Sequence, residues 1–178
     1  DPKVQSIKIT MYRLSKASNV IKALINALKN GKQVTAVIEL QARFDEEANI
    51  YWANKLQEEG AKIIYGVQGL KVHSKLFLIT RKEGNKTTMF AHIGTGNFNG
   101  DTAKIYTDHS LLTSHKHITA EVEKLFQFYT DNLKTGNYKH LLVSPFFMRK
   151  QFHQLINKEI QNAKSGKHSG ITMKLNNL

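Results

Sequence analysis

The sequence predicts an α/β fold in which a mixed, largely parallel sheet is flanked by helices. Three observations predict it. Residues 7–65 read strand, helix, strand, helix, strand, and two such passages imply parallel strands with helices packed across them. Residues 34–40 are β-branched and apolar without alternation, as a strand buried on both faces would be. A polar turn carrying Gly84-Asn85 then separates two strand-like runs, 70–80 and 88–93, which read as a hairpin and make the sheet mixed.

The elements follow in order. Residues 7–12 alternate apolar and polar, the period of a strand. Ser18 is placed to cap a helix whose face is Val20, Ala23, Leu24, Ala27 and Leu28, with Gly31 at its end. Asp45 is placed to cap a second helix over 46–59, closed by Gly60, and 62–65 is a short strand. After the hairpin, 110–113 is strand-like and 119–133 is helical, with Val122, Leu125, Phe126 and Tyr129 on one face. Gly136-Asn137 reads as a break. Beyond it, 141–144 reads as a strand, Ser144-Pro145 as a helix start, and Phe152, Leu155, Ile156 and Ile160 as the face of a long helix ended by Gly166. Residues 171–178 resemble a strand without a partner. These features predict one domain over 1–138 and the truncated start of a second over 139–178, and the absence of Met at position 1 fits a piece of a longer chain.

Composition narrows the chemistry. With 40% hydrophobic and 22% charged residues, the chain can bury a core and is not wholly disordered. No apolar run approaches the roughly 18 residues that span a bilayer, and the N-terminus lacks the basic-then-apolar pattern of a signal peptide. Cysteine is absent, which excludes disulfides, thiolate metal sites and cysteine nucleophiles. The net charge of +12 favours a polyanionic partner: nucleic acid, anionic lipid or phosphate chains.

Lys71-Val72-His73-Ser74-Lys75 precedes the apolar run 76–79. In a strand, His73 and Lys75 would share a face about 6.5–7 Å apart. A neutral imidazole is a nucleophile near pH 7, and the neighbouring ammonium would meet the phosphoryl oxygens. Taken alone, so short a triplet fits a histidine half-buried at a sheet edge better. Gly94-Thr95-Gly96-Asn97 offers close backbone approach and exposed amides to an anion, with Asn97 placed to bond a phosphate or orient His73; alone it fits a plain turn. His92, just before it, reads as structural. Arg13 and Arg43 each follow a strand, where ligands of open sheets bind, and guanidinium groups clamp phosphates; alone they fit surface arginines. Together the set describes a phosphoryl-transfer pocket. There is no GxSxG elbow, no GxxxxGK[ST] loop and no zinc-ligand spacing, which argues against serine hydrolases, P-loop kinases and zinc hydrolases.

Ile9-Thr10-Met11-Tyr12-Arg13, the block 39–49 (ELQARFDEEAN), Leu70 to Lys75, the block 92–99 (HIGTGNFN) and Ile105-Tyr106-Thr107-Asp108 closely resemble the first catalytic domain of the polyphosphate kinase 1 family. Residues 169–178 resemble the opening of that family's second catalytic domain. The resemblance implies a phospholipase-D-like fold. It implies reversible transfer of the terminal phosphate of ATP to polyphosphate through a phosphohistidine, here His73. It implies ATP contact at Tyr106 and a phosphate–magnesium site at Arg13 and Arg43, with Mg²⁺ as cofactor. An arginine is a poor cation ligand, so these two would grip oxygens that magnesium also touches. The expected partners are ATP, ADP and polyphosphate, with no specific nucleic acid. The full-length protein is expected to be a cytoplasmic homo-oligomer, with peripheral association at the inner membrane left open.

The chain also departs from the wider phospholipase-D pattern. Thr80 stands where an aspartate would follow the H-x-K, and His115-Lys116-His117 is no second H-x-K. This piece alone is expected to fold at least partly but to make little polyphosphate. Two rival readings are a phosphodiesterase of the phospholipase-D type, acting on nucleic acid or lipid, and a basic nucleic-acid-binding module. Aromatic residues placed as helix-core positions argue against the second.

Overall fold

The computed structural model describes all residues except 16, 41, 43–45 and 175–178. Two compact units divide at Gly136/Asn137. The first contains β1 (Val4–Met11), α1 (Asn19–Lys29), β2 (Gln33–Ile38), α2 (Glu46–Glu58), β3 (Lys62–Tyr65), β4 (Lys75–Glu83), β5 (Lys86–Gly94), β6 (Ser110–Thr113) and α3 (Lys116–Thr130). The strands form one six-stranded sheet in the order β3-β2-β1-β4-β5-β6.

The sheet is mixed, but not largely parallel as the sequence predicts. β1–β2 and β2–β3 are parallel; β1–β4, β4–β5 and β5–β6 are antiparallel. The reason lies in the connections. Helices α1 and α2 supply the long crossovers that parallel strands need. Residues 66–74 carry no helix, so β4 returns antiparallel along the free edge of β1. Gly84, at φ 58°, then allows the tight turn into β5.

Ser18 caps α1, its Oγ accepting from the Ile21 N–H at 3.3 Å. Ile21 and Leu24 of α1, with Ala53 and Leu56 of α2, join Ile9, Met11, Ala36 and Ile38 in a buried apolar cluster. α3 packs on β4 and β5 and buries Val122, Leu125 and Phe126. It begins at Lys116 rather than near 119.

In the second unit, α4 (Met148–Lys164) starts three residues after Pro145. Residues 144–147 form turns, and the Phe147 and Met148 N–H groups both donate to the Val143 carbonyl. Residues 141–144 and 171–174 are not strands. The face of α4 carrying Phe152, Leu155, Ile156 and Ile160 is exposed. Among the described residues, no helix is long and apolar enough to cross a membrane.

Candidate active site

The topology brings the sequence motifs to one edge of the sheet. Met11, Ile38 and Tyr65 are in register at the carboxyl ends of β1, β2 and β3. β4 runs the other way, so its first residue, Lys75, lies at that same end, paired with Gly94, which pairs with Ser110. Tyr12-Arg13, Glu39, His73, the turn 94–97 and Asp108 therefore share this edge.

The ring of Tyr12 is the hub. The His73 imidazole meets it at 4.5 Å, edge to face at 78°. The Lys75 ammonium lies 5.1 Å from its centroid, Lys71 5.3 Å and the Arg13 guanidinium 5.7 Å. Cation–π attraction offsets part of the repulsion among three cations held this close.

His73 is not a strand residue, which corrects the expectation that it and Lys75 are same-face neighbours on a strand. β4 begins only at Lys75, because the backbone of 72–74 bonds to side chains instead. The Val72 N–H donates to Glu39 Oε2 at 2.8 Å. Thr10 Oγ1 donates to the Ser74 carbonyl at 2.7 Å and accepts from the Leu76 N–H at 3.0 Å. Ser74 Oγ and the Tyr129 hydroxyl share a bond of 3.0 Å, and the Lys75 ammonium donates to the His73 carbonyl. His73 and Lys75 still reach one centre, by this clamp rather than by strand alternation. His73 keeps an exposed edge, while Lys75 is only 4% exposed.

This setting tunes both groups. Burial against Tyr12 lowers the His73 pKa below its usual 6.5, and Lys75, Lys71 and Arg13 lower it further, so the imidazole is neutral near pH 7. Burial pushes Lys75 down to about 8, with Asp108 acting the other way and Arg13 reinforcing the drop.

The Gly94-Thr95-Gly96-Asn97 turn is built around Asp108. Thr95 Oγ1 donates to Asp108 Oδ1 at 2.9 Å and accepts from the His109 N–H at 3.0 Å. A Cβ on Gly96 would lie 2.6 Å from Asp108 Cγ, and one on Gly94 would lie 2.5 Å from the His92 ring, so a side chain at either position would force that neighbour to shift. His92 itself is buried between Phe77 and Phe98, with Nε2 3.1 Å from Ser110 Oγ. Asn97 lines a cleft of about 960 Å³ together with Arg13, the start of α1 and the loop 99–104. Its buried Oδ1 has no hydrogen-bond partner among the described residues. Tyr106 follows a single 3-10 turn, Thr102–Lys104; the residue is 56% exposed and lies outside the lining of that cleft. Arg43 lies outside the described residues.

The sequence places Tyr12, Glu39, Asn49 and Asp108 within the motif blocks but suggests no role for them. Asn49 is fully buried: its Nδ2 donates to the carbonyls of Tyr12 and Glu39, both at 2.8 Å, and its Oδ1 accepts from the Leu14 N–H at 3.2 Å. One amide thus ties the ends of β1 and β2. The available signal was an acid directly after the buried run of β2, and an asparagine inside a helix.

Comparison with known proteins places this geometry. Residues 1–135 match the family model described as polyphosphate kinase C-terminal domain 1, and residues 141–178 match polyphosphate kinase C-terminal domain 2. The chain belongs to the polyphosphate kinase family. The polyphosphate kinases of Salmonella typhimurium and Escherichia coli K12 are 53% and 52% identical to it over all 178 residues. The chain spans 26% of the length of each. The crystal structure of polyphosphate kinase from Porphyromonas gingivalis superposes with a TM-score of 0.82 at 38% identity, over 94% of this chain and 28% of that one. These relatives do not favour the phosphodiesterase or nucleic-acid-binding readings.

No group of three or more His, Asp or Glu side chains able to hold a metal occurs among the described residues. The centre is cationic, so its residues fit Mg²⁺ only as an ion carried on phosphate oxygens.

Proposed function

We propose that this chain carries the phosphate-accepting centre of an ATP:polyphosphate phosphotransferase, on a phospholipase-D-like domain, with His73 as the nucleophile. The observation that carries the reading is the exposed imidazole held on Tyr12, whose ring also gathers Lys71, Lys75 and Arg13.

In the first step a ring nitrogen of His73 attacks the γ-phosphorus of ATP. The N–P bond forms, the bond to the β–γ bridging oxygen breaks, and ADP leaves with that electron pair. In the second step a terminal oxygen of polyphosphate attacks the same phosphorus and the N–P bond breaks, regenerating the imidazole. Both steps are reversible. Lys75 and Arg13, with Arg43, offset charge on the phosphoryl oxygens in both directions. Asn97 would bond phosphate beside Arg13, and Tyr106 would contact the nucleotide. Mg²⁺ would ride on oxygens gripped by Arg13 and Arg43 and supply further charge neutralisation.

The test uses the complete gene product that carries this chain. It is expected to lengthen polyphosphate with ATP and, with excess ADP, to return ATP from polyphosphate. His73→Ala should abolish both directions while leaving the melting temperature within a few degrees. Polyphosphate synthesis that survives His73→Ala would overturn the assignment.

A further inference from the structure

We infer that Glu39 is a positioning residue for His73, holding the nucleophile through the Val72 amide. The inference rests on the reading of His73 as the phosphate acceptor. Glu39 is 6% exposed and sits one residue beyond β2. Its own backbone is fixed twice: its N–H donates to the Met11 carbonyl at 3.0 Å, and its carbonyl accepts from Asn49 Nδ2 at 2.8 Å. The carboxylate is therefore a short arm on a rigid base. It ends on the N–H of the residue immediately before His73, at 2.8 Å.

The same Asn49 amide also holds the Tyr12 carbonyl, and the Tyr12 ring supports the imidazole. The peptide that leads into His73 and the ring beside it are thus referenced to one buried amide. Burying a carboxylate is costly. Glu39 does not reach substrate in this scheme. It acts by denying the loop 66–74 the freedom to carry His73 away from Tyr12, Lys75 and Arg13.

The experiment compares Glu39→Gln, Glu39→Asp and Glu39→Ala in the complete gene product, with two readouts. The first is hydrogen exchange of the peptide containing Val72. It should quicken in Glu39→Asp, whose arm is one methylene short, and in Glu39→Ala, and stay near wild type in Glu39→Gln, which keeps an acceptor of the same reach. The second is single-turnover labelling of the protein by γ-labelled ATP. A displaced nucleophile should slow labelling by about 10- to 100-fold in Glu39→Asp and Glu39→Ala with little change in apparent ATP affinity. Glu39→Gln should recover to within about threefold. If Glu39→Ala does not fold, the Gln–Asp pair decides alone. Unchanged Val72 exchange in Glu39→Asp would overturn the inference, as would a Gln variant as slow as Asp, or a loss confined to ATP affinity. The exchange readout needs no activity. A wild type that takes no label would sink the function reading while leaving the Glu39–Val72 contact separately tested.

Discussion

Replacing Lys75 by arginine should remove one limb of the enzyme's pH profile. Burial and Arg13 bring the Lys75 pKa to about 8 against the partial support of Asp108. In the proposed mechanism, transfer uses Lys75 charged and His73 neutral. The profile of kcat/KM for ATP, which reports the free enzyme, should therefore be bell-shaped. Its acid limb lies below 6.5, since burial and the neighbouring cations lower His73. Its alkaline limb lies near 8, so at pH 9 about one tenth of the enzyme keeps the ammonium and kcat/KM falls about tenfold. A guanidinium stays charged above pH 12, roughly, so Lys75→Arg should hold its plateau to at least about pH 10. The plateau itself will be lower, because a larger group must fit where the ammonium is 4% exposed; the shape, not the height, carries the test. The same depression has a stability signature. The folded chain binds fewer protons at Lys75 than the unfolded chain between pH 8 and 10.5, so wild-type stability should gain from this group as pH rises through that window. An alkaline limb near 8 that persists in Lys75→Arg would refute the reasoning.

Other perturbations follow from the same contacts. Gly96→Ala would drive a methyl to 2.6 Å from Asp108 Cγ, a displacement of about 1 Å, and should cost on the order of 100-fold in labelling rate with the fold retained by circular dichroism. Asn49→Ala strands the Leu14 N–H and two carbonyls, and urea melts should show a loss of about 3 kcal/mol or more. Tyr12→Phe keeps the ring face that His73 and the cations use and should retain activity to within about threefold, whereas Tyr12→Leu should lose at least about tenfold.

Local sequence signals carried the parts of the fold that depend on neighbours in the chain. Ser18 marked the cap of α1, Gly84-Asn85 marked the hairpin, and the apolar run after Gln33 marked β2. The direction of β4 was less legible, since it depends on what fills residues 66–74, and a short mixed run with two glycines fits a return or a crossover alike. His73 looked like a strand residue because Val72 and Leu76 flank it at strand spacing. The backbone on either side of it is held instead by Glu39, 33 residues from Val72, and by Thr10, 66 residues from Leu76, which no local period can show. The contacts of Tyr12 were hidden for a similar reason: the packed edge shows one ring meeting an imidazole and three cations. The placement of Arg13 just beyond the first strand was legible, since β1 does end at Met11.

The most direct test is rapid-quench phosphorylation of the complete gene product with γ-labelled ATP, followed by proteolysis and peptide mapping under alkaline conditions. A base-stable, acid-labile phosphate should appear on the peptide containing Val72-His73-Ser74, formed and discharged at least as fast as turnover. Label found on another residue, or polyphosphate formed with His73 never phosphorylated, would contradict it.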